Sequence, residues 1–149
     1  MYEDNAETPD EELKRADHLV YVSLKYTRTC DIMKNAIKRM IAAFELSMSE
    51  YLEYLRKGKE LSHVSGTSKE RSVQIKNLLG NQFKKYFILY NLLKKIDKAD
   101  YTATEEFRKN VTLKTKTSKV IEVKVDNLYN YLELTKEFVL FMKSKMKAR

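Results

Sequence analysis

Residues 10–57 contain neither glycine nor proline, and this run of 48 residues strongly restricts what the chain can fold into. Helix interiors exclude both residue types, because proline lacks a backbone donor and clashes with the preceding turn, while glycine costs backbone entropy. Most apolar residues in the run recur at spacings of three and four, as they do on one face of a helix. The first third of the chain is therefore predicted to be long helix.

Capping signals predict where these helices begin and end. Thr8, Pro9 and Glu11 form a capping box with proline at the first helical position, which indicates a helix start. Residues 27–31 combine β-branched and capping types, so the run forms either one rod or two helices. Gly58 ends the second segment. The apolar seam of that segment consists of Ile37, Ile41, Phe44, Met48, Tyr51 and Leu55.

The second half of the chain changes from helical to strand periodicity and back. Residues 67–70 form another capping box, and the apolar seam that follows runs to residue 96 and includes Gln82. Residues 111–125 alternate β-branched and polar side chains, which predicts a hairpin turning near Thr117 and Ser118. Asp126 caps a last helix. We therefore predict a mainly α fold, a bundle of three to four long antiparallel helices with a small β-hairpin before the C-terminal helix.

Length and composition fit one cytoplasmic domain that covers residues 1–149. Cys30 is the only cysteine, so no internal disulfide can form. No apolar run exceeds about five residues, whereas a membrane-spanning helix needs roughly 20, so no membrane contact is predicted. The N-terminus is acidic and lacks a secretory signal. Residues 1–8 are predicted to form a flexible acidic tail.

The charge of the chain is unevenly distributed. Residues 1–17 hold seven acids and two bases, a net charge of −5, whereas residues 18–149 hold 27 bases and 14 acids, a net charge of +13. A basic body of this kind favours nucleic acid, anionic lipid or an acidic protein surface as a partner. The alternative is that the lysines only keep long helices in solution.

The basic residues of the predicted hairpin, residues 108–125, are the strongest functional candidates. They are Arg108, Lys109, Lys114, Lys116, Lys119 and Lys124, and Glu122 is the one acid among them. If the hairpin projects as an arm, these charges can follow a phosphate backbone with little sequence preference. The alternative is that the lysines protect a sheet edge against aggregation.

A second candidate site for phosphate is the loop before the third predicted helix, at Gly66, Thr67, Ser68, Lys69 and Arg71. Free amides at a helix start favour an anion, and the hydroxyl and basic side chains suit phosphate. The spacing of a P-loop is absent. The alternative is an ordinary capped loop between helices.

Metal and cofactor chemistry is not predicted. One cysteine and two distant histidines cannot supply the four ligands of a structural zinc site. Nucleophilic catalysis by Cys30 requires a histidine held beside it, and His18 is twelve residues upstream. Cys30 is therefore expected to be a small buried apolar residue. No cofactor is expected.

Arg56 and His63 form a spaced pair that resembles the Arg-x(4–6)-His motif of HEPN-type ribonucleases. The resemblance implies an RNA-cutting enzyme with the pair at a dimer interface, Arg56 stabilising the transition state and His63 acting as general base or acid. The sequence departs from the motif at Lys57 and Gly58, where the family usually has a small polar residue after the arginine.

These observations favour a non-catalytic assembly or binding module that contacts an anionic partner such as RNA or DNA. The last predicted helix is apolar over more than one face, which predicts a homodimer through this helix. Two alternatives stay open. One is a HEPN-like ribonuclease that uses Arg56 and His63, and the other is a purely protein-binding subunit.

Overall fold

A computed structural model describes residues 8–147 and shows a mainly helical chain with a small antiparallel sheet. The helices are α1 (Pro9–His18), α2 (Leu24–Tyr26), α3 (Cys30–Lys57), α4 (Ser68–Leu79), α5 (Lys84–Lys98) and α6 (Val125–Lys147). The strands are β1 (Tyr101–Thr104), β2 (Thr112–Thr115) and β3 (Glu122–Lys124). Residues 1–7 of the predicted acidic tail lie outside the described residues. Thr8, assigned to the same tail, is the N-cap of α1.

The run without glycine or proline forms two helical segments. The side chain of Thr8 accepts a hydrogen bond from the Glu11 amide at 3.1 Å, as a capping box requires. α1 continues through a π-helical segment, Leu19–Ser23, into α2, and Thr27 then leaves the helical region with φ −137° and ψ 94°. Thr29 caps α3. Of the two alternatives that the sequence allowed, the structure shows the break.

α3 is the centre of the molecule and packs against α1, α4, α5, α6 and β2. All six residues of its predicted seam are buried, so the seam prediction is confirmed. Phe44 of α3 stacks on Phe138 of α6 with ring centroids 4.7 Å apart, and Phe83 and Tyr86 pack around the same ring. Between residues 8 and 147, no helix is both long enough and apolar enough to cross a bilayer.

The third predicted helix is interrupted at Gly80, and its seam is wrong at Gln82. α4 ends at Leu79, a 3₁₀ turn covers Gly80–Gln82, and α5 begins at Lys84. Gly80 has φ 59° and ψ −131°, far from α-helical values, so α4 cannot continue through it, and the turn leaves Gln82 exposed. Mainly helical structure is thus confirmed. A bundle of three to four long antiparallel helices is not, since only α3 and α6 among the described helices exceed 20 residues.

The backbone at Gly80 yields a stability prediction. Gly80→Ala is expected to lower the free energy of unfolding by about 1–3 kcal/mol, because an L-residue is strained at this φ and ψ. Gly66→Ala is the matched control, because a Cβ there meets nothing within 4 Å and no positive φ restricts it. Urea denaturation measures both variants. Equal stabilities for the two variants would contradict the assigned role of Gly80.

The predicted hairpin is present, but it belongs to a three-stranded sheet in the order β1-β2-β3. Thr112 pairs with Lys124 and Lys114 with Glu122, so the chain turns near residue 118, as predicted. The register also shows β1, which the sequence analysis missed. One face of the sheet is covered, because β2 packs on α3 and β3 on α6. The buried residues on and beside the strands include Val111, Leu113, Thr115 and Val123. The hairpin is therefore part of a packed sheet and does not project as a free arm.

Candidate nucleic-acid interface

A surface cavity of about 280 Å³ lies between the break after α2, the loop before β2 and the start of α6. Its apolar wall includes Val20, Leu24 and Val111, which are buried. Four cationic side chains also line the cavity: Lys25, Arg28, Lys109 and Lys124. Among the described residues of the lining, Asp126 is the one acid. The formal charge of the lining is therefore +3.

Two hydrogen bonds bring the loop before β2 to the break between α2 and α3. The Phe107 amide donates to the Arg28 carbonyl at 2.6 Å. The Cys30 amide donates to Glu106 Oε2 at 2.8 Å, which places a carboxylate at the N-terminus of α3, where the helix dipole stabilises it. Arg28 and Lys109 meet at one cavity for this reason, although α3, α4, α5 and β1 lie between them in the sequence.

The pairing of β3 with β2 positions Lys124, which lines the remaining side of the cavity. β3 pairs with β2 so that Lys124 lies opposite Thr112, beside the loop that carries Lys109. The Lys124 amide donates to Asn127 Oδ1 at 2.8 Å, which fixes the passage from β3 into α6. The backbone of Lys124 is therefore held by both the sheet and the helix start.

The four cations of the cavity make no ion pair with any acid between residues 8 and 147. Other basic residues of the chain do: Arg39 lies 3.2 Å from Glu12, and Lys38 lies 2.9 Å from Asp97. A cleft lined mainly by charge of one sign concentrates its potential in the cleft, and here four cations outnumber the one carboxylate, that of Asp126. This cavity is thus suited to an anion.

Two exposed aromatic residues lie close in sequence to residues that line the cavity. Tyr26 is 84% exposed and follows Lys25, and Phe107 is 73% exposed and lies two residues before Lys109. Phe107 has φ 67°, in the left-handed region that bulky residues rarely adopt. Glu105, in the same loop, has φ 56°. Each exposed aromatic residue is thus within two residues of a cation of the cavity, and the backbone of Phe107 is bonded to that of Arg28.

The structure brings together two of the six basic residues predicted from the hairpin. Lys109 and Lys124 line the cavity. Arg108 lies 4.0 Å from Glu105, and Lys114 lies 3.8 Å from Glu122 across the β2–β3 pair. Lys116 and Lys119 are exposed near the turn of the hairpin.

Lys25 and Arg28 were missed by the sequence analysis. Arg28 lies within residues 27–31, which predicted a possible helix break, and Lys25 lies two residues before them, but nothing local marks either as part of a binding surface. Their assignment depends on the hydrogen bond between Phe107 and Arg28, which joins segments distant in sequence. Tyr26 and Phe107 were missed for the same reason.

The loop proposed to hold phosphate uses its polar groups internally. Thr67 Oγ1 accepts from the Glu70 amide at 3.1 Å and contacts Glu70 Oε1 at 3.0 Å, so the Glu70 carboxylate faces this helix start. Arg71 donates to the Ser65 carbonyl at 2.9 Å and to Ser68 Oγ at 3.2 Å. These contacts describe a capped loop between helices, and the loop has no part in the function proposed below.

Arg56 and His63 do not contact each other by a hydrogen bond or an ion pair in the described part of the chain. Arg56 Nε donates to Glu53 Oε1 at 2.7 Å, and this hydrogen bond raises the pKa of the Arg56 guanidinium. His63 is exposed in the loop after α3, and its carbonyl accepts from Gln74 Nε2 at 2.9 Å. No observation on this pair adds support for a ribonuclease.

Cys30 is fully buried, as the sequence predicted. Burial and the nearby Glu106 carboxylate raise the pKa of its thiol to about 11. The thiol is therefore protonated at neutral pH, which disfavours a role as nucleophile. Among residues 8–147, no group of three His, Cys, Asp or Glu side chains is placed to hold a metal ion.

Comparisons with known proteins give this chain no relative: no family model, no curated protein and no solved structure matches it.

Proposed function

We propose that this protein is a non-catalytic binding module that holds the phosphate backbone of a nucleic acid in the cavity between α2, the loop before β2 and the start of α6. The observation that carries the proposal is the set of four cations that line this cavity without an acidic partner in residues 8–147. Lysine and arginine are the side chains that bind phosphate oxygens most strongly. Since these cations have no acidic partner in the described residues, they are available to bind an anion.

Nucleic acid is favoured over other anions by the surroundings of the cavity. Exposed Tyr26 and Phe107 offer stacking surfaces that a base can use. The exposed lysines near the hairpin turn, Lys116 and Lys119, extend the positive charge along the chain from the cavity. They suit further phosphates of the same backbone, so the hairpin prediction becomes a secondary part of this proposal.

A salt titration tests the proposal. Fluorescence anisotropy with labelled mixed-sequence RNA and DNA oligonucleotides, between about 50 and 200 mM salt, should show affinity that falls with salt. Four phosphates neutralised on a single strand correspond to a slope of about −3 in log K against log salt. Sequence preference should be slight, because no base-reading helix is assigned. Absence of binding at the lowest salt would contradict the proposal and favour the protein-binding alternative.

The proposal includes the homodimer predicted through the C-terminal helix. Much of the apolar surface of α6 is buried within the chain, including Leu132, Phe138 and Met142, so the free patch is smaller than the sequence suggested. Leu140 is 66% exposed, and it lines a surface depression together with the exposed Val22. These two side chains are the apolar contact that a second copy can cover.

Light scattering at micromolar concentration tests the dimer. The wild type is expected to have the mass of a dimer, and Leu140→Lys the mass of a monomer with unchanged circular dichroism, because burying a charged side chain at an apolar contact is unfavourable. Ile88→Lys is the control, since Ile88 is comparably exposed, at 58%, but lies on α5. A monomeric wild type would exclude the dimer.

A further inference from the structure

We infer that the nucleic acid bound by this protein is single-stranded, with an unpaired base stacked on Phe107 while an adjacent phosphate occupies the basic cavity. This inference rests on the proposed function. It adds that the nucleic acid is single-stranded and that Phe107 is the side chain that contacts an unpaired base. The observations that carry it are the exposure, the backbone and the neighbours of Phe107.

The conformation of Phe107 is unfavourable for the fold. Its φ of 67° is one that a bulky side chain rarely adopts, and its ring is 73% exposed, so burial offsets little of the strain. Strained residues cluster at binding and catalytic sites, where the surrounding structure holds them in place. The ring of Phe107 contributes little to the core although its backbone is strained. This combination indicates that the ring binds a ligand.

The backbone around Phe107 is held in place by hydrogen bonds. Its amide donates to the Arg28 carbonyl at 2.6 Å, and the neighbouring Glu106 accepts from the Cys30 amide at 2.8 Å. The amides of Arg108 and Val111 donate to the carbonyls of Glu105 and Arg108, both at 3.1 Å. Phe107 therefore lies in a turn that hydrogen bonds hold in place. Arg28, which accepts one of these bonds, also lines the cavity.

Exposed rings beside a phosphate site distinguish single strands from duplexes. In a duplex the bases are stacked on each other, whereas unpaired bases are free to stack on aromatic side chains. Tyr26, which is 84% exposed and follows Lys25 of the cavity in the sequence, is a second exposed ring. One backbone can thus place a phosphate among the cations and its bases on the rings.

Phe107→Gly separates binding from stability. Glycine removes the ring and relieves the positive φ, so the melting temperature is expected to stay unchanged or to rise. Affinity for a labelled single-stranded RNA oligonucleotide, measured by anisotropy, is expected to fall about tenfold or more. Phe107→Tyr should retain the affinity, because its ring also stacks, whereas Phe107→Leu should lose it. The wild type should bind the single strand more tightly than a duplex of the same length.

The outcomes separate this inference from the proposed function. Salt-dependent binding that Phe107→Gly leaves unchanged, or equal affinity for single strand and duplex, would overturn the inference and leave the basic cavity as the binding site. A fall in melting temperature for Phe107→Gly would also overturn it, because the ring would then serve the fold. Absence of all binding by the wild type would refute both proposals.

Discussion

Replacing Lys109 and Lys124 together by glutamate is expected to weaken nucleic-acid binding about a hundredfold and to flatten its salt dependence. Both side chains line the cavity, and the change removes two cations and adds two acids beside Asp126. Each lost phosphate contact also removes one counterion release, so the slope of log K against log salt should fall by about 1.4 for a single strand. Both lysines are exposed, so the fold should persist, as circular dichroism can verify.

Lys116→Glu with Lys119→Glu is the matched control for this result. These lysines belong to the same hairpin, are also exposed and undergo the same change of charge, but they do not line the cavity. They are expected to weaken binding by only a few-fold. Equal losses for the two double variants would show that the total charge of the hairpin matters and the cavity does not.

The largest expected effect on stability is that of Phe138→Ala. Phe138 is fully buried on α6, and its ring lies 4.7 Å from that of Phe44, 5.2 Å from Tyr86 and 5.7 Å from Phe83. Truncation leaves a cavity where α3, α5 and α6 meet, and it should cost about 3–5 kcal/mol in the free energy of unfolding. This is a large fraction of the 5–15 kcal/mol that is usual for one domain.

Ile88→Ala is the control for Phe138→Ala in chemical denaturation. Ile88 lies on α5 and is 58% exposed, and alanine is a good helix former, so a change within about 0.5 kcal/mol is expected. A small effect of Phe138→Ala with a large effect of Ile88→Ala would mean that the assigned core is wrong.

Features that depend only on residues close together in the sequence could be predicted from it. The N-caps Thr8 and Thr67 each have a glutamate three residues later, and in both the glutamate amide donates to the threonine hydroxyl, as the predicted cap requires. The seam of α3 was predicted because one face of a long helix keeps its period. The helix break at Gly80 was not predicted, because the apolar spacing continues across this residue. The spacing of apolar residues gives no information on the backbone angles that end the helix there.

The candidate site depends on tertiary contacts and could be predicted only in part. Lys109 and Lys124 were found from the charge of residues 108–125, whereas Lys25 and Arg28 lie far away in sequence. β1 is only four residues long, and this short strand lies in the segment that joins α5 to the loop carrying Phe107. No local pattern specifies that this loop docks at Arg28.

The central claim is that nucleic acid binds at the cavity, and a ¹⁵N-labelled NMR titration with a short single-stranded oligonucleotide tests it most directly. The account predicts that the amide shift changes centre on Lys25–Arg28, on Phe107–Val111 and on Lys124–Asp126, and that they diminish as salt is raised. Changes confined to the hairpin turn or to the loop at residues 66–71, or no changes at low salt, would contradict it.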